Sequence, residues 1–151
     1  MGMSVWFAVV AGSQAVNPLP EALRAQVKNG RFGIVTSIRG LPLGIRERLQ
    51  VMFDSQTLDI VEPGAELQAA GVVNPTLPPR RLIAAGCTIE YCLVYYERGG
   101  DAHTWHVALF HWTPAATRFE WGGLAPGGLA TIDDVRNAVL SGVIKEAAGP
   151  W

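Results

Sequence analysis

Three histidines lie within nine positions of the stretch DAHTWHVALFHW, residues 101–112. Imidazoles this close together could be zinc ligands or the acid–base groups of an enzyme. The β-branched and aromatic residues of the stretch predict a strand instead. On a strand, His103 and His111 would be about 26 Å apart, and His106 would point to the opposite face. The sequence therefore argues against a three-histidine metal site, and no metal or cofactor is expected.

A second polar group is predicted where this strand pairs with its neighbours. We place turns at Gly99-Gly100 and Pro114-Ala115, which pair three strands into an antiparallel meander. Five polar side chains then gather at one end of a sheet face and are the candidate ligand-binding residues: Thr88, Glu90, His111, Arg118 and Glu120. Carboxylates beside an imidazole can bind a polar ligand or exchange protons with it. The alternative is a solvent-exposed face with weak surface ion pairs.

The other end of that face is apolar in the same register, in which Tyr96 lies opposite His103. Its large side chains are the candidate partner-surface residues: Val94, Tyr96, Trp105 and Val107. The first half of the chain could cover such a patch, or a partner protein or second copy could do so. We expect the chain's own helices to cover it. The alternative is an interface with a partner or second copy, where Trp and Tyr are frequent. The assignment depends on the register, since a one-residue slip moves every side chain to the other face.

The opposite face of the meander is predicted to be the core, covered by the last helix. In the second hairpin, Phe110 pairs with Phe119 and Ala108 with Trp121. The predicted core face carries the following side chains: Ile89, Tyr91, Leu93, Tyr95, His106, Phe110, Trp112, Phe119 and Trp121. His106 is interpreted as a core or rim histidine with its hydrogen bonds satisfied.

The two cysteines are predicted to remain free. Cys87 and Cys92 lie in LIAAGCTIEYCLVYYER, residues 82–98, which is interpreted as one strand. There they would be about 16 Å apart and on opposite faces. A disulfide needs Cα atoms within about 7 Å. Free thiols are typical of a reducing compartment, so a cytoplasmic location is expected.

Bulk properties limit the class of protein. The chain has 151 residues, 49% of them hydrophobic and 17% charged, which is typical of one globular domain. A formal net charge of −1 provides no electrostatic basis for binding nucleic acid or an anionic membrane. No apolar run is long enough to span a bilayer. An apolar run at residues 4–10, without a preceding Lys or Arg, predicts a first strand rather than an export signal.

Periodicity and capping residues predict about three helices. The first begins after Pro20 and ends at Gly30, and the last begins at Thr131. The middle helix presents one stripe of apolar residues: Ile45, Leu49, Met52 and Phe53. Residues 31–40 and 58–64 are predicted to be short strands. Three prolines make residues 74–81 an extended connection between the two halves.

The sequence therefore predicts a single α+β domain over residues 1–151, with an antiparallel sheet, a three-stranded meander in the second half and about three helices. Known nucleotide-binding and nucleophile motifs are missing, including GxGxxG, GK[ST] and GxSxG. The predicted function is that of a non-enzymatic protein that binds a protein partner or its own copy through sheet and aromatic surface. The alternative is a small-molecule-binding domain or enzyme that uses the Glu, His and Arg cluster on one face of the sheet.

Overall fold

A five-stranded antiparallel sheet is the centre of the structure. The computed structural model describes residues 14–68, 76–100, 102–147 and 149–151. In these ranges the elements are α1 (Glu21–Asn29), β1 (Gly33–Val35), a 3-10 turn (Ile38–Gly40), α2 (Leu43–Met52), β2 (Arg80–Cys87), β3 (Tyr91–Arg98), β4 (Thr104–Trp112), β5 (Thr117–Ala125) and α3 (Ile132–Ser141). The sheet order is β1-β2-β3-β4-β5. This confirms the predicted α+β class. The predicted strand at residues 4–10 lies outside the described residues.

The capping signals correctly located the first and last helices. Pro20 precedes α1 and Gly30 follows it. Thr131 caps α3 through a reciprocal pair of bonds, in which its hydroxyl accepts from the Asp134 N–H and the Asp134 carboxylate accepts from the Thr131 N–H, each at 3.1 Å. The strand predicted at residues 58–64 is reduced to a single bridge between Val61 and Arg81. No helix in the described ranges is long and apolar enough to cross a bilayer.

Helices cover both faces of the sheet. One face packs against α1 and α3, and its sheet side chains are Leu93, Tyr95, Val107, Leu109 and Trp121. The other face packs against α2 and the residues after it, with Cys92, Val94, Tyr96, Ala108 and Phe110 on the sheet side. The prediction of a single core face was therefore wrong. His106, Trp112 and Phe119 belong to the α2 face, and Ile89 is 88% exposed.

The predicted register of the first hairpin was wrong by three residues. Tyr96 pairs with His106, not with His103. The chain needs more residues to turn than Gly99-Gly100 alone supply, so β4 begins only at Thr104. An odd shift exchanges the faces, which explains why the predicted face combined residues from both sides of the sheet.

The second hairpin has the predicted register at its turn. Phe110 pairs with Phe119, as expected, and His111 with Arg118. A bulge next to Leu109 then shifts the ladder, so that Ala108 pairs with Gly122 instead of Trp121. Glu120 is the extra residue of this bulge, because Trp121 pairs with Leu109.

The cysteine prediction was also wrong, because Cys87 and Cys92 form a disulfide. The segment predicted to be one strand is a hairpin, β2 and β3, with a tight turn at Thr88–Glu90. The Thr88 hydroxyl accepts from the N–H groups of Glu90 and Tyr91 at 3.2 and 3.0 Å, which holds the turn. The two cysteines become direct partners across the ladder, with Cα atoms 4.1 Å apart.

Two short segments distant in sequence cover the outer edge of β5. Leu124 and Lys145 exchange both main-chain hydrogen bonds at 2.9 Å. Lys145 also bridges to Val16, and the Asn17 side chain donates to the carbonyl of Gly122 at 2.7 Å. The strand edge therefore has a main-chain partner in Lys145 and a side-chain partner in Asn17.

We expect the Cys87→Ala/Cys92→Ala double variant to lose about 2 kcal/mol of unfolding free energy, because the bond closes a short loop and restricts the denatured chain. Urea denaturation of the oxidised wild type and the variant measures this. Wild type in reductant serves as the control and should match the variant. Equal stability of all three samples would contradict the prediction that the disulfide is present and stabilises the fold.

Candidate functional site

The structure places the predicted ligand-binding residues at one end of the sheet, but not in one cleft. Thr88 and Glu90 lie in the β2–β3 turn, beside a shallow hollow of about 300 Å³ that they share with Gln26 and Arg31. Glu90 is exposed, and Thr88 uses its hydroxyl to hold the turn. The hollow does not extend to the strand residues of the predicted cluster.

The strand residues of that cluster form a surface pair and a ring contact. Arg118 donates to Glu120 at 2.8 Å, with 67% and 23% of their side chains exposed. His111 lies edge-on to the ring of Tyr91, with centroids 5.1 Å apart. Such an exposed ion pair stabilises a protein by less than about 1 kcal/mol. The geometry of these residues is that of an open sheet surface.

The predicted partner surface is mostly interior. Val94, Tyr96 and Val107 are fully buried, the first two under α2 and the third under α1 and α3. Trp105 alone of the four is partly exposed. Elements of the chain itself cover this patch, so these four residues do not form an exposed apolar surface.

A different group of charged residues meets at the opposite end of the sheet. Glu97 pairs with Arg81 on β2 and with Trp105 on β4. One carboxylate oxygen, Oε1, accepts from the Arg81 guanidinium, and the other, Oε2, lies 2.7 Å from Nε2 of His103. We call Arg81, Glu97 and His103 the carboxylate–histidine cluster.

Burial differs sharply within the carboxylate–histidine cluster. The Glu97 side chain is only 7% exposed, whereas that of His103 is 45% exposed. The Arg81 guanidinium, 29% exposed, also donates to the carbonyl of Ala65 at 2.8 Å. A buried carboxylate needs a counter-charge and hydrogen bonds, and Glu97 has both. The buried Glu97 carboxylate thus fixes the position of the imidazole, and the rest of the ring is accessible to solvent.

Trp105 and the loop that follows β5, residues 126–130, support this imidazole. The His103 ring stacks on the Trp105 indole, with centroids 4.4 Å apart and planes 18° apart. Gly127 packs so closely on the indole that an added Cβ would lie 2.8 Å from it. The Tyr95 hydroxyl donates to the carbonyl of Pro126 at 2.7 Å, which ties the loop to β3. Burial and the nearby Glu97 charge raise the pKa of Tyr95 to about 12, so it stays a donor.

Two clefts adjoin the carboxylate–histidine cluster. A cleft of about 420 Å³ is lined by His103, Trp105 and Lys145, together with apolar side chains of β5 and Val143. A second, wider cleft of about 590 Å³ also includes Trp105 in its lining, together with Arg81, Glu97 and the loop at 128–130. Both volumes are in the range of small-molecule sites.

The other face of the sheet carries polar residues at the same end. Arg80 and Arg98 are ladder partners there, near Tyr96 and His106, and we call these four the buried cationic cluster. Burial, together with the smaller effects of the Arg98 and Arg80 charges, lowers the pKa of His106 to about 4. His106 is therefore neutral at pH 7, with Nε2 placed 2.9 Å from the Thr104 hydroxyl oxygen.

Comparisons with models of known protein families, with curated proteins and with solved structures find no match to this chain. Among the described residues, no group of three or more His, Cys, Asp or Glu side chains could hold a metal ion. The interpretation of function therefore rests on the geometry of the chain itself.

Sequence reasoning did not select the carboxylate–histidine cluster, although His103 was considered as a metal ligand. The predicted register placed Glu97 opposite Ala102 in the turn, and the structure places it opposite Trp105. One signal was present: Glu97 directly follows the apolar run CLVYY. A carboxylate at the end of a fully buried strand is expected to need a partner.

We expect Glu97→Gln to lower the free energy of unfolding by about 2–3 kcal/mol, because Arg81 loses its counter-charge in a partly buried position. Glu120→Gln is the matched control, since it removes the carboxylate of an exposed pair and should cost less than about 1 kcal/mol. Urea denaturation of both variants at pH 7 gives the comparison. Similar losses in the two variants would contradict the structural difference between the two pairs.

His106 should make stability depend on pH. Its pKa is about 4 in the folded protein and about 6.5 in an unfolded chain. Between these values the unfolded chain binds a proton that the folded protein does not, so stability falls as the pH decreases. The loss by pH 4 is about 3 kcal/mol.

Urea denaturation between pH 7 and 4 measures the slope. His106→Gln is expected to flatten it, and His111→Gln controls for the loss of a histidine elsewhere on the sheet. A slope that is unchanged in His106→Gln would show that other groups cause the pH dependence.

Proposed function

We propose that the protein binds a small polar molecule at the carboxylate–histidine cluster, and that His103 is the residue that contacts it. The observation that carries the proposal is the pairing of a buried carboxylate with a half-exposed imidazole, whose nitrogen and oxygen atoms are 2.7 Å apart. Carboxylates that orient a histidine in this way are common in binding and catalytic sites. This keeps the predicted small-molecule function and moves it to other residues.

The pairing determines which ring nitrogen of His103 is left to contact a ligand. When Nε2–H donates to Glu97, the other ring nitrogen, Nδ1, is an acceptor. An acceptor imidazole can take a hydrogen bond or a proton from a bound hydroxyl or N–H group. The same site can therefore support acid–base chemistry, and enzymatic activity is included in the proposal.

The lining of the smaller cleft favours an organic anion with an apolar body. Leu124, Ala125 and Val143 contribute apolar surface, and Lys145 contributes a positive charge. Among the described residues, no carboxylate side chain lines this cleft. Clefts with mostly apolar walls and a few convergent polar groups are typical of small-molecule sites.

A thermal-shift screen of small organic acids tests the proposal. We expect at least one compound to raise the melting temperature of wild type and of His111→Ala, but not that of His103→Ala. His111→Ala is a suitable control because it removes an imidazole from the same strand at the other end of the sheet. A screen in which every stabilising compound also stabilises His103→Ala as strongly as wild type, or a screen without any stabilising compound, would contradict it.

Binding of a protein partner or second copy is the second candidate, now on a different surface. Leu43 and Val51 are 60% and 67% exposed on α2, beside a cleft of about 470 Å³ that also includes Trp112. Exposed apolar residues that lie together favour a protein interface. Analytical ultracentrifugation of wild type and Leu43→Glu tests self-association. Only the second candidate function predicts an oligomer, and the variant should disrupt it.

We further propose that the protein is cytoplasmic if Cys87 and Cys92 are reduced in the cell. The expectation rested on free thiols, and cytosolic reductants keep such pairs reduced. Alkylation of protein taken directly from cells, followed by mass spectrometry, measures the thiol state. Alkylated cysteines would support the cytoplasmic location, and a disulfide between Cys87 and Cys92 would contradict it.

A further inference from the structure

The buried cationic cluster combines two like charges with little compensation. Arg80 and Arg98 are direct partners across β2 and β3, and Arg80 is only 5% exposed. Like charges in this position repel each other. Among the described residues neither guanidinium lies within 4.0 Å of an Asp or Glu carboxylate.

The nearby carboxylate of Asp59 is engaged elsewhere. It accepts from the hydroxyls of Ser55 and Thr57 at 2.5 and 2.8 Å. These two bonds, with the charge of Arg80 as a smaller cause, lower the pKa of Asp59. Asp59 therefore feels the arginine charge without forming an ion pair with it.

Three polar atoms of the buried cationic cluster have no hydrogen-bond partner within the described residues. They are Tyr96 Oη, His106 Nδ1 and Arg98 Nε. Tyr96 is fully buried and His106 is 2% exposed, and their rings stack with centroids 5.2 Å apart. Buried polar atoms in proteins are nearly always paired, so three unpaired atoms beside two cations indicate a place for a bound group.

Trp151 shows what kind of group fits there. Arg80 donates to the main-chain oxygen of Trp151 from Nε and Nη2, at 2.9 and 2.5 Å. The indole of Trp151 contacts the rings of His106 and Phe119, with centroids 5.9 and 5.3 Å away. Trp151 thus offers an oxygen to the guanidinium and a flat ring to an aromatic wall.

We propose that the buried cationic cluster is a second binding site, specific for a carboxylate attached to a flat apolar group, and that Trp151 occupies it in this structure. A carboxylate would bind the Arg80 fork with charge assistance and would neutralise Arg98. The site lies on the α2 face, whereas the carboxylate–histidine cluster lies on the α1 and α3 face. The two proposals therefore depend on different residues.

Calorimetric titration with benzoate tests the proposal, because benzoate joins a carboxylate to a flat ring. Trp151→Ala removes the ring contacts with His106 and Phe119 that hold the Trp151 oxygen against Arg80, and should bind benzoate at least about tenfold more tightly than wild type, in which the site is mostly filled. Benzamide has the same shape without the charge and should bind at least about tenfold more weakly than benzoate.

Two double variants locate the binding. Arg80→Gln added to Trp151→Ala should abolish benzoate binding, with circular dichroism used to verify the fold. His103→Ala added to Trp151→Ala should leave the affinity unchanged, which separates this site from the carboxylate–histidine cluster. Equal affinity in wild type and Trp151→Ala, or no binding to a folded Trp151→Ala, would overturn the proposal.

A second variant covers the case in which Trp151→Ala does not fold. Arg98→Gln, with Trp151 in place, removes an uncompensated charge beside Arg80 and is expected to raise the melting temperature. Arg39→Gln removes an exposed guanidinium and is the matched control. An unchanged or lower melting temperature in Arg98→Gln would mean that its charge is already compensated, and would also overturn the proposal.

Discussion

The complete burial of β3 is the constraint on which the rest of the structure depends. Six consecutive residues of this strand, from Cys92 to Glu97, are buried. Because side chains alternate along a strand, burial of neighbours requires cover on both faces of the sheet. The chain supplies α2 before the meander for one face, and α1 and α3 for the other. A polar residue on β3 then has to find its partners inside the protein.

The same alternation explains why the two faces differ chemically at one end of the sheet. Arg80 and Arg81 are adjacent in sequence and therefore point to opposite faces. Arg81 meets the carboxylate of Glu97, so its charge is neutralised. Arg80 meets Arg98 instead, and stacks on the ring of Phe53 at 4.0 Å. A neutralised pair can orient a histidine, whereas neither cation of the other pair has an Asp or Glu partner among the described residues.

Local signals were sufficient to predict the helices and part of the meander. Pro20, Gly30 and Thr131 mark helix boundaries through backbone chemistry that does not depend on distant residues. The strands of the meander were also recognisable from β-branched and aromatic residues. The turn at Thr88–Glu90 was missed because it contains no glycine or proline, and a threonine hydroxyl holds it instead. That omission also concealed the disulfide.

The sites could not be predicted because they depend on register. A three-residue difference at the Gly99-Gly100 turn and one bulge residue, Glu120, decide which side chains meet across the sheet. Neither feature has a distinct local signal in this sequence. The continuous apolar run CLVYY is typical of a strand with two buried faces. That interpretation would have placed Val94 and Tyr96 in the interior.

The covered edge of β5 has a consequence for biosynthesis. The partner of Leu124 on this edge is Lys145, and the strand that it protects is complete twenty residues earlier, at Ala125. While the chain is being made, β5 can pair with β4 before Lys145 has emerged from the ribosome. During that interval its outer main-chain groups are free to pair with another nascent chain. The segment around Lys145 therefore protects β5 against edge-to-edge aggregation, and a chain in which this segment has not yet docked is at risk.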